Sequence, residues 1–127
     1  MAIRVNLLEE GRFVEIFAEG QITRREAGWA TERTRELVGS QGISGILADA
    51  GDVEEQASPI LSGEVIEGFL FAIESLVPVA YVRPSQWTED YYRRVREHVG
   101  ELPPTARYFE DRAAALNWLC EVASAVA

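Results

Sequence analysis

Ser58 and Ser62, with the only histidine, His98, and the only cysteine, Cys120, are the side chains best suited to nucleophilic or acid–base chemistry. A serine hydrolase built here would have to activate Ser58 or Ser62 with His98, because no second imidazole exists to take the proton. Neither serine sits in a G-x-S-x-G elbow. His98 lies near the end of a helical stretch beside Arg94 and Arg96, where positive charge suits the helix dipole, and that accounts for it without catalysis. Cys120 follows an inward Leu119 and reads as a small core residue. All twelve cationic side chains are arginine. The absence of lysine excludes P-loop nucleotide hydrolysis, Schiff-base chemistry and phospho-acceptor receiver domains, each of which needs an ammonium group at its site.

Asp49, Asp52, Glu54 and Glu55 bring carboxylates close together, but their spacing matches no EF-hand, and the stretch Ala50 to Gln56 reads as a solvated acidic loop. Neither a metal nor a cofactor is expected. Arg24 and Arg25 fall in the first turn of a helix, where the dipole disfavours cations. An anionic ligand or a carboxylate partner would explain them, and so would pairing with the acidic loop.

The formal charge of -9 and the pI near 4.6 oppose binding to phosphate backbones or anionic lipid, so nucleic acid is not an expected partner. The most apolar stretch, Val65 to Val82, is broken by Glu67, Glu74 and Pro78 and does not read as a spanning helix. One cysteine excludes an internal disulfide, and Met1 to Glu10 carries Arg4, Glu9 and Glu10 where a signal peptide needs an apolar core. A cytoplasmic protein is therefore expected. Its 127 residues suit a single domain with one hydrophobic core.

The elements that must position these side chains follow from periodicity. Ile3, Val5 and Leu7 alternate with polar residues, Phe13 to Ala18 is a second strand, and Glu9-Glu10-Gly11 makes the turn between them. Thr23 and Glu26 form a capping box for a helix over Arg24 to Val38, with Ala27, Ala30, Thr34 and Leu37 inward and Gly39 at its end. Ile43 to Asp49 reads as a strand buried on both faces. Ser58 caps a second helix with Pro59 in its first position and Ile60, Val65, Phe69, Ala72, Ile73 and Leu76 on one side. Val77 to Arg83 is a strand, Thr88 caps a helix carrying Tyr91, Val95 and Val99 before Gly100, and Thr105 to Phe109 is the last strand. Asp111 caps a final helix with Leu116, Leu119, Ala123 and Val126 inward.

The order ββαβαβαβα predicts an α/β fold, a mostly parallel five-stranded sheet flanked by four helices. Loops after the carboxyl ends of such strands form one edge, which would gather Arg24, Arg25, Asp49, Asp52, Ser58, Ser62 and Trp87 at a common rim.

The element order, Gly20-Gln21-Ile22-Thr23 ahead of the first helix, Ile46-Leu47-Ala48-Asp49 at a strand end, and the closing run from Tyr108-Phe109-Glu110-Asp111-Arg112 through Asn117-Trp118-Leu119 resemble the SpoIIAA-like proteins, small bacterial proteins with the fold of STAS domains. The resemblance spans nearly the whole chain. It implies the same sheet and helices and no catalysis. For STAS domains it implies protein-partner binding switched by phosphorylation of a serine that opens the second helix. For the SpoIIAA-like branch it implies small-ligand or membrane-associated roles. The Asp-Ser-Ser-Gly signature of STAS domains is replaced by Gln56-Ala57-Ser58-Pro59-Ile60-Leu61-Ser62-Gly63, which leaves Ser58 and Ser62 at the corresponding place. Capping alone also accounts for the Ser58-Pro59 pair.

Phe69-Leu70-Phe71-Ala72-Ile73 turns apolar side chains all round a helix, so one sheet-facing stripe cannot hide them all. Trp29 lies off the inward stripe of its helix and is expected to be partly exposed. These residues suit a neighbouring helix, a pocket for a small apolar or amphipathic ligand with Trp29 or Trp87 at its mouth, or a homodimer face. Three functions stay open at this level: a regulatory module with a protein partner, a ligand carrier or sensor, and a hydrolase using His98.

Overall fold

The computed structural model describes residues 2–8, 12–73, 77–102 and 104–126, and the side chains of all of these except 41, 70–72 and 124–126. The chain runs β1 (Ile3–Leu8), β2 (Phe13–Gly20), α1 (Arg24–Gln41), β3 (Gly45–Val53), α2 (Pro59–Ile73), β4 (Val79–Val82), α3 (Glu89–Val99), β5 (Ala106–Phe109) and α4 (Arg112–Val126). The strands lie side by side in chain order; β1 is antiparallel to β2, and every later pair is parallel. The turn expected at Glu9-Glu10-Gly11 falls outside the described residues, between the paired Leu8 and Phe13.

That sequential order dictates the layers. Three consecutive crossovers step in one direction across the sheet, and crossovers of one hand place their helices on one face. Accordingly α1, α2 and α3 share a face with Val14, Ala48, Val79 and Tyr81 beneath them, while α4 covers the other face through Ala115, Leu119 and Ala123 against Phe13, Leu47 and Ala80. Each crossover advances one strand spacing, about 4.8 Å, whereas packed helix axes need about 8–10 Å. Three helices therefore do not fit flat on that face. Helix α1 settles on β1 and β2, while α2 packs on its neighbours α1 and α3 and its backbone stands off from the sheet.

Several boundaries differ from the sequence expectation. Gly39 lies inside α1, and the stop is Gly42, which adopts the left-handed conformation (φ +66°) that a side chain would strain. Strand β3 runs on to Val53, so Ala50 to Val53 are not loop: after an irregularity between Phe17 and Glu19, β2 resumes pairing with Glu19 opposite Asp52 and Gly20 opposite Val53. Ile60, expected inward, is exposed, because the first turn of α2 lies beside Arg94 and His98 of α3, beyond the point where the helix covers the core. Ala72, Leu76 and Val126 were also expected inward; Leu76 and the side chains of the other two lie outside the description. Other expectations hold: Thr34 is fully buried and donates to the Ala30 carbonyl, Thr23 and Glu26 form their reciprocal capping box, and the Asp111 carboxylate accepts from the Ala114 amide at 2.8 Å.

Close approach of α2 to α3 depends on Gly63. A Cβ there would lie 2.6 Å from His98 Cδ2 and 2.9 Å from His98 Cβ, too near to be relieved by a side-chain tip alone. Gly68, one turn and a half further along α2, faces open space. Gly63→Ala is expected to lower stability by about 1–3 kcal/mol through overpacking, whereas Gly68→Ala should raise it by up to about 1 kcal/mol through helix propensity. Urea unfolding of the two variants checks this; equal shifts would refute the packing of α2 on α3.

Candidate functional site

Because α2 stands away from the strands, the space beneath it is filled only by side chains. Several that meet there are small: Ala18 and Ala48 on the sheet, Ala27 and Ala30 on α1. A partly enclosed cavity of about 130 Å³ remains, and its walls are overwhelmingly apolar, with Val65, Ile66 and Phe69 descending from α2. Its size compares with an engineered apolar cavity of about 150 Å³ that stays dry and binds benzene.

Aromatic residues close the far side. The Phe69 ring stands edge-on to Tyr81 at 6.1 Å, Tyr81 contacts Tyr108 at 5.7 Å, and Tyr92 meets Tyr108 at 6.0 Å. Trp87 packs against Tyr91 at 4.8 Å and Tyr92 at 6.3 Å. Trp87 directly precedes the helix cap Thr88 and packs on Tyr92 in the first turn, a hydrophobic staple that fixes how α3 begins. The indole N–H of Trp87 is buried and has no hydrogen-bond partner among the described residues.

Burial controls the tyrosine hydroxyls. Desolvation, reinforced by the Tyr92 hydroxyl, raises Tyr108 from the ordinary 10.0 to about 12. Burial pushes Tyr81 well above 10.0, and it raises Tyr92 despite the opposing guanidinium groups of Arg83 and Arg96.

The loops at the carboxyl ends of the strands converge, and they are laced to one another. The Gln21 side chain donates to the Glu55 carbonyl at 2.9 Å, the Gln56 side-chain oxygen accepts from the Ile22 amide at 3.0 Å, and the Glu55 carboxylate accepts from the Thr88 amide at 2.8 Å. Tyr91 is the hub. Its hydroxyl accepts from the Gln56 amide at 2.9 Å, donates to the Ser58 carbonyl at 3.3 Å, and shares a hydrogen bond with the Ser62 hydroxyl at 2.8 Å.

The residues singled out from sequence distribute unevenly over this frame. Ser58 Oγ caps α2, accepting from the Ile60 amide at 3.1 Å. Ser62 is buried and engaged by Tyr91, so it is not open to a modifying enzyme in this conformation. Trp87 joins this lip through Tyr91 and also walls the cavity. Arg24 pairs with Glu64 of α2 rather than with the acidic loop, because Glu64 lies one turn into the helix that packs beside α1. Arg25 is exposed and has no ion pair among the described residues. Asp49 is buried beneath the sheet: one oxygen accepts from the Gly51 amide at 3.0 Å and the other meets Arg112 of α4 at 3.0 Å. The same guanidinium pairs with the buried Glu15. Asp52 is exposed on β3. No group of carboxylates and imidazoles disposed to hold a metal occurs among the described residues.

Of the apolar candidates, Phe69 lines the cavity, Ile73 is core at 1% exposure, and Trp29 faces solvent at 46%, outside the cavity wall. The side chains of Leu70 and Phe71 are outside the description. His98 makes no hydrogen bond to Ser58 or Ser62; its Nε2 stands 3.8 Å from the Glu67 carboxylate. Sequence reading missed the alanine floor and the tyrosine wall. The Trp87-Thr88-x-x-x-Tyr92 staple spacing was the one available signal.

No family model matches the chain, and no curated protein does. Solved structures do match in fold. The anti-sigma factor antagonist SpoIIAA in its unphosphorylated form is 12% identical, with a TM-score of 0.68 over 94% of this chain and 97% of that one. The Bacillus cell fate determinant SpoIIAA in the phosphorylated form is 12% identical, with a TM-score of 0.61 over 93% and 99%. An uncharacterized DUF3478-family protein with a SpoIIAA-like fold from Shewanella loihica is 19% identical, with a TM-score of 0.60 over 94% and 93%. This chain has the SpoIIAA-like fold. Among the described residues, no helix is long and apolar enough to cross a membrane.

The tyrosine wall gives a pH prediction. A folded pKa above the unfolded one means the native state keeps a proton that the unfolded chain releases. The stabilisation is fully present below pH 10.0 and is lost as pH rises from there through about 12 for Tyr108. Absorbance at 295 nm should show the buried tyrosines ionising only as the protein unfolds; a single transition near pH 10.0 in folded protein would contradict the wall.

Proposed function

We propose that this protein is a non-catalytic binding module that holds a small apolar or amphipathic ligand between α2 and the sheet. The observation that carries the reading is the apolar cavity of about 130 Å³ beneath α2. A space of that size forfeits dispersion contacts along its whole lining, and an apolar guest restores them. Such a ligand would touch the inner faces of α2 and α3, the two elements joined at their starts by Tyr91.

Filling the cavity from within separates binding from folding. Ala48→Leu should keep stability within about 1 kcal/mol, because the lost void offsets any crowding. It should also abolish uptake of a benzene-sized probe seen with the wild type by isothermal titration calorimetry. Undiminished uptake by this variant would refute the reading, as would native mass spectra and calorimetry that find no bound small molecule in the wild type.

A second reading is a regulatory module acting through a protein partner at the lip around the start of α2. It is favoured by the fold, because two of the similar structures are of an anti-sigma factor antagonist and a cell fate determinant, the latter phosphorylated. Ser58 is the residue this reading relies on, since a phosphate there would meet free amide groups and the positive end of α2. Ser58→Ala should cost about 1 kcal/mol by loss of the cap, whereas Ser58→Asp, itself a good cap, should cost less. The reading further requires Ser58→Asp, and not Ser58→Ala, to change the affinity for a protein partner co-purified with the wild type; equal affinities would end it.

A further inference from the structure

Arg24 puts a cation in the first turn of α1, where the helix dipole disfavours it, and its partner Glu64 stands on α2. Among the described residues this is the one ion pair that joins those two helices. Residues three and seven positions after Arg24, Ala27 and Thr31, share its side of α1; on α2, Leu61 lies one turn before Glu64 and Val65 directly follows it. All four line the cavity, and all four are partly exposed. The α3 residues on the same wall, Tyr92 and Val95, are buried. Gly28 and Gly68, one turn beyond Arg24 and Glu64, are exposed and have open space where a side chain would begin, so neither bars the way between the helices.

Resting on the ligand reading above, we infer that a neutral apolar ligand enters and leaves between α1 and α2, and that the Arg24–Glu64 ion pair is the latch across that seam. The other borders of α2 are fastened more firmly. Towards α3, Gly63 lies against His98, and the Tyr91 hydroxyl holds both the Ser58 carbonyl and the Ser62 hydroxyl. Further along, Leu37 of α1 joins Phe69 and Ile73 of α2 in one buried cluster. Only the first half of the α1–α2 seam is closed by charge, and the two side chains that close it are 69% and 40% exposed. An exposed ion pair breaks at little cost, whereas parting the other borders would expose apolar core or strand buried polar groups. The seam itself offers an entering molecule little but hydrocarbon, because the Thr31 hydroxyl donates back to the Ala27 carbonyl at 2.9 Å.

Fluorobenzene tests this, since it is neutral, has the size of the cavity's expected guest, and reports its own dissociation rate through ¹⁹F exchange spectra. Glu64→Gln should speed dissociation about two- to fivefold, the range of an exposed ion pair, and speed association equally, so that Kd stays the same. Raising the salt concentration from about 0.05 to 0.5 M should speed dissociation from the wild type and leave the variant unaffected. Glu64→Arg alone should also release the probe faster, and combining it with Arg24→Glu, which rebuilds the pair with its charges exchanged, should restore the slow rate. Glu67→Gln removes the carboxylate that α2 turns to His98 of α3 and should change nothing. If fluorobenzene binds but its dissociation ignores Glu64→Gln, salt and the charge exchange, or is sped by Glu67→Gln instead, the latch is overturned and the ligand reading survives. If fluorobenzene does not bind the wild type, both are overturned.

Discussion

Crowding on one face of the sheet is the constraint from which the remaining architecture follows. Strands that advance in chain order with crossovers of one hand bring α1, α2 and α3 over the same surface, and the step of one strand per crossover is about half what packed helices require. Something must lift, and both helices after α1 do. Helix α2 is held by α1 and α3 instead of by the strands, with Gly63 permitting the approach to His98 and Glu64 anchored to Arg24. The hollow beneath it is thus a product of topology, kept open by alanines on the floor and bounded by aromatics from α2, β4, β5 and the start of α3.

The two faces of the sheet consequently do different work. Beneath α4 the packing is dense and specified by charge: Arg112 sits between the buried carboxylates of Glu15 and Asp49, an arrangement in which losing any partner would strand a buried charge. That face behaves as scaffold. On the opposite face the polar bonds gather at the lip, where Tyr91 ties Gln56, Ser58 and Ser62 to α3, and the interior behind them is apolar. Strand order never reverses, so no crevice of the kind found at a topological switch point opens at the carboxyl edge. The loops meet and bond one another, and the free volume lies behind them, under α2.

Much of this was legible in the residues. Alternation in Ile3 to Leu7, the Thr23 and Glu26 box, the Ser58-Pro59 start and the Thr88 and Asp111 caps are local signals, and each element they mark is present. Boundaries failed where long-range pairing outranked local composition. Acidic Ala50 to Gln56 reads as loop, yet β2 recruits its first half into β3; Gly39 reads as a stop, yet the left-handed turn falls at Gly42. The site was less legible for the same reason. Asp49 looks like a rim carboxylate until its strand turns it towards Arg112, and Trp29 looks like a pocket lip until α1 turns it to solvent. Ala18, Ala27, Ala30 and Ala48 read as ordinary core, because nothing in a sequence tells an alanine that fills a gap from one that leaves it.

Xenon tests the central claim most directly, because it enters apolar voids without needing any polar partner. In a crystal pressurised with xenon, density is expected beneath α2, between Phe69 and the Ala48 floor of β3, with the helix unmoved. A site without xenon, in which α2 has descended and Ile66 and Phe69 rest on Ala48, would contradict the account.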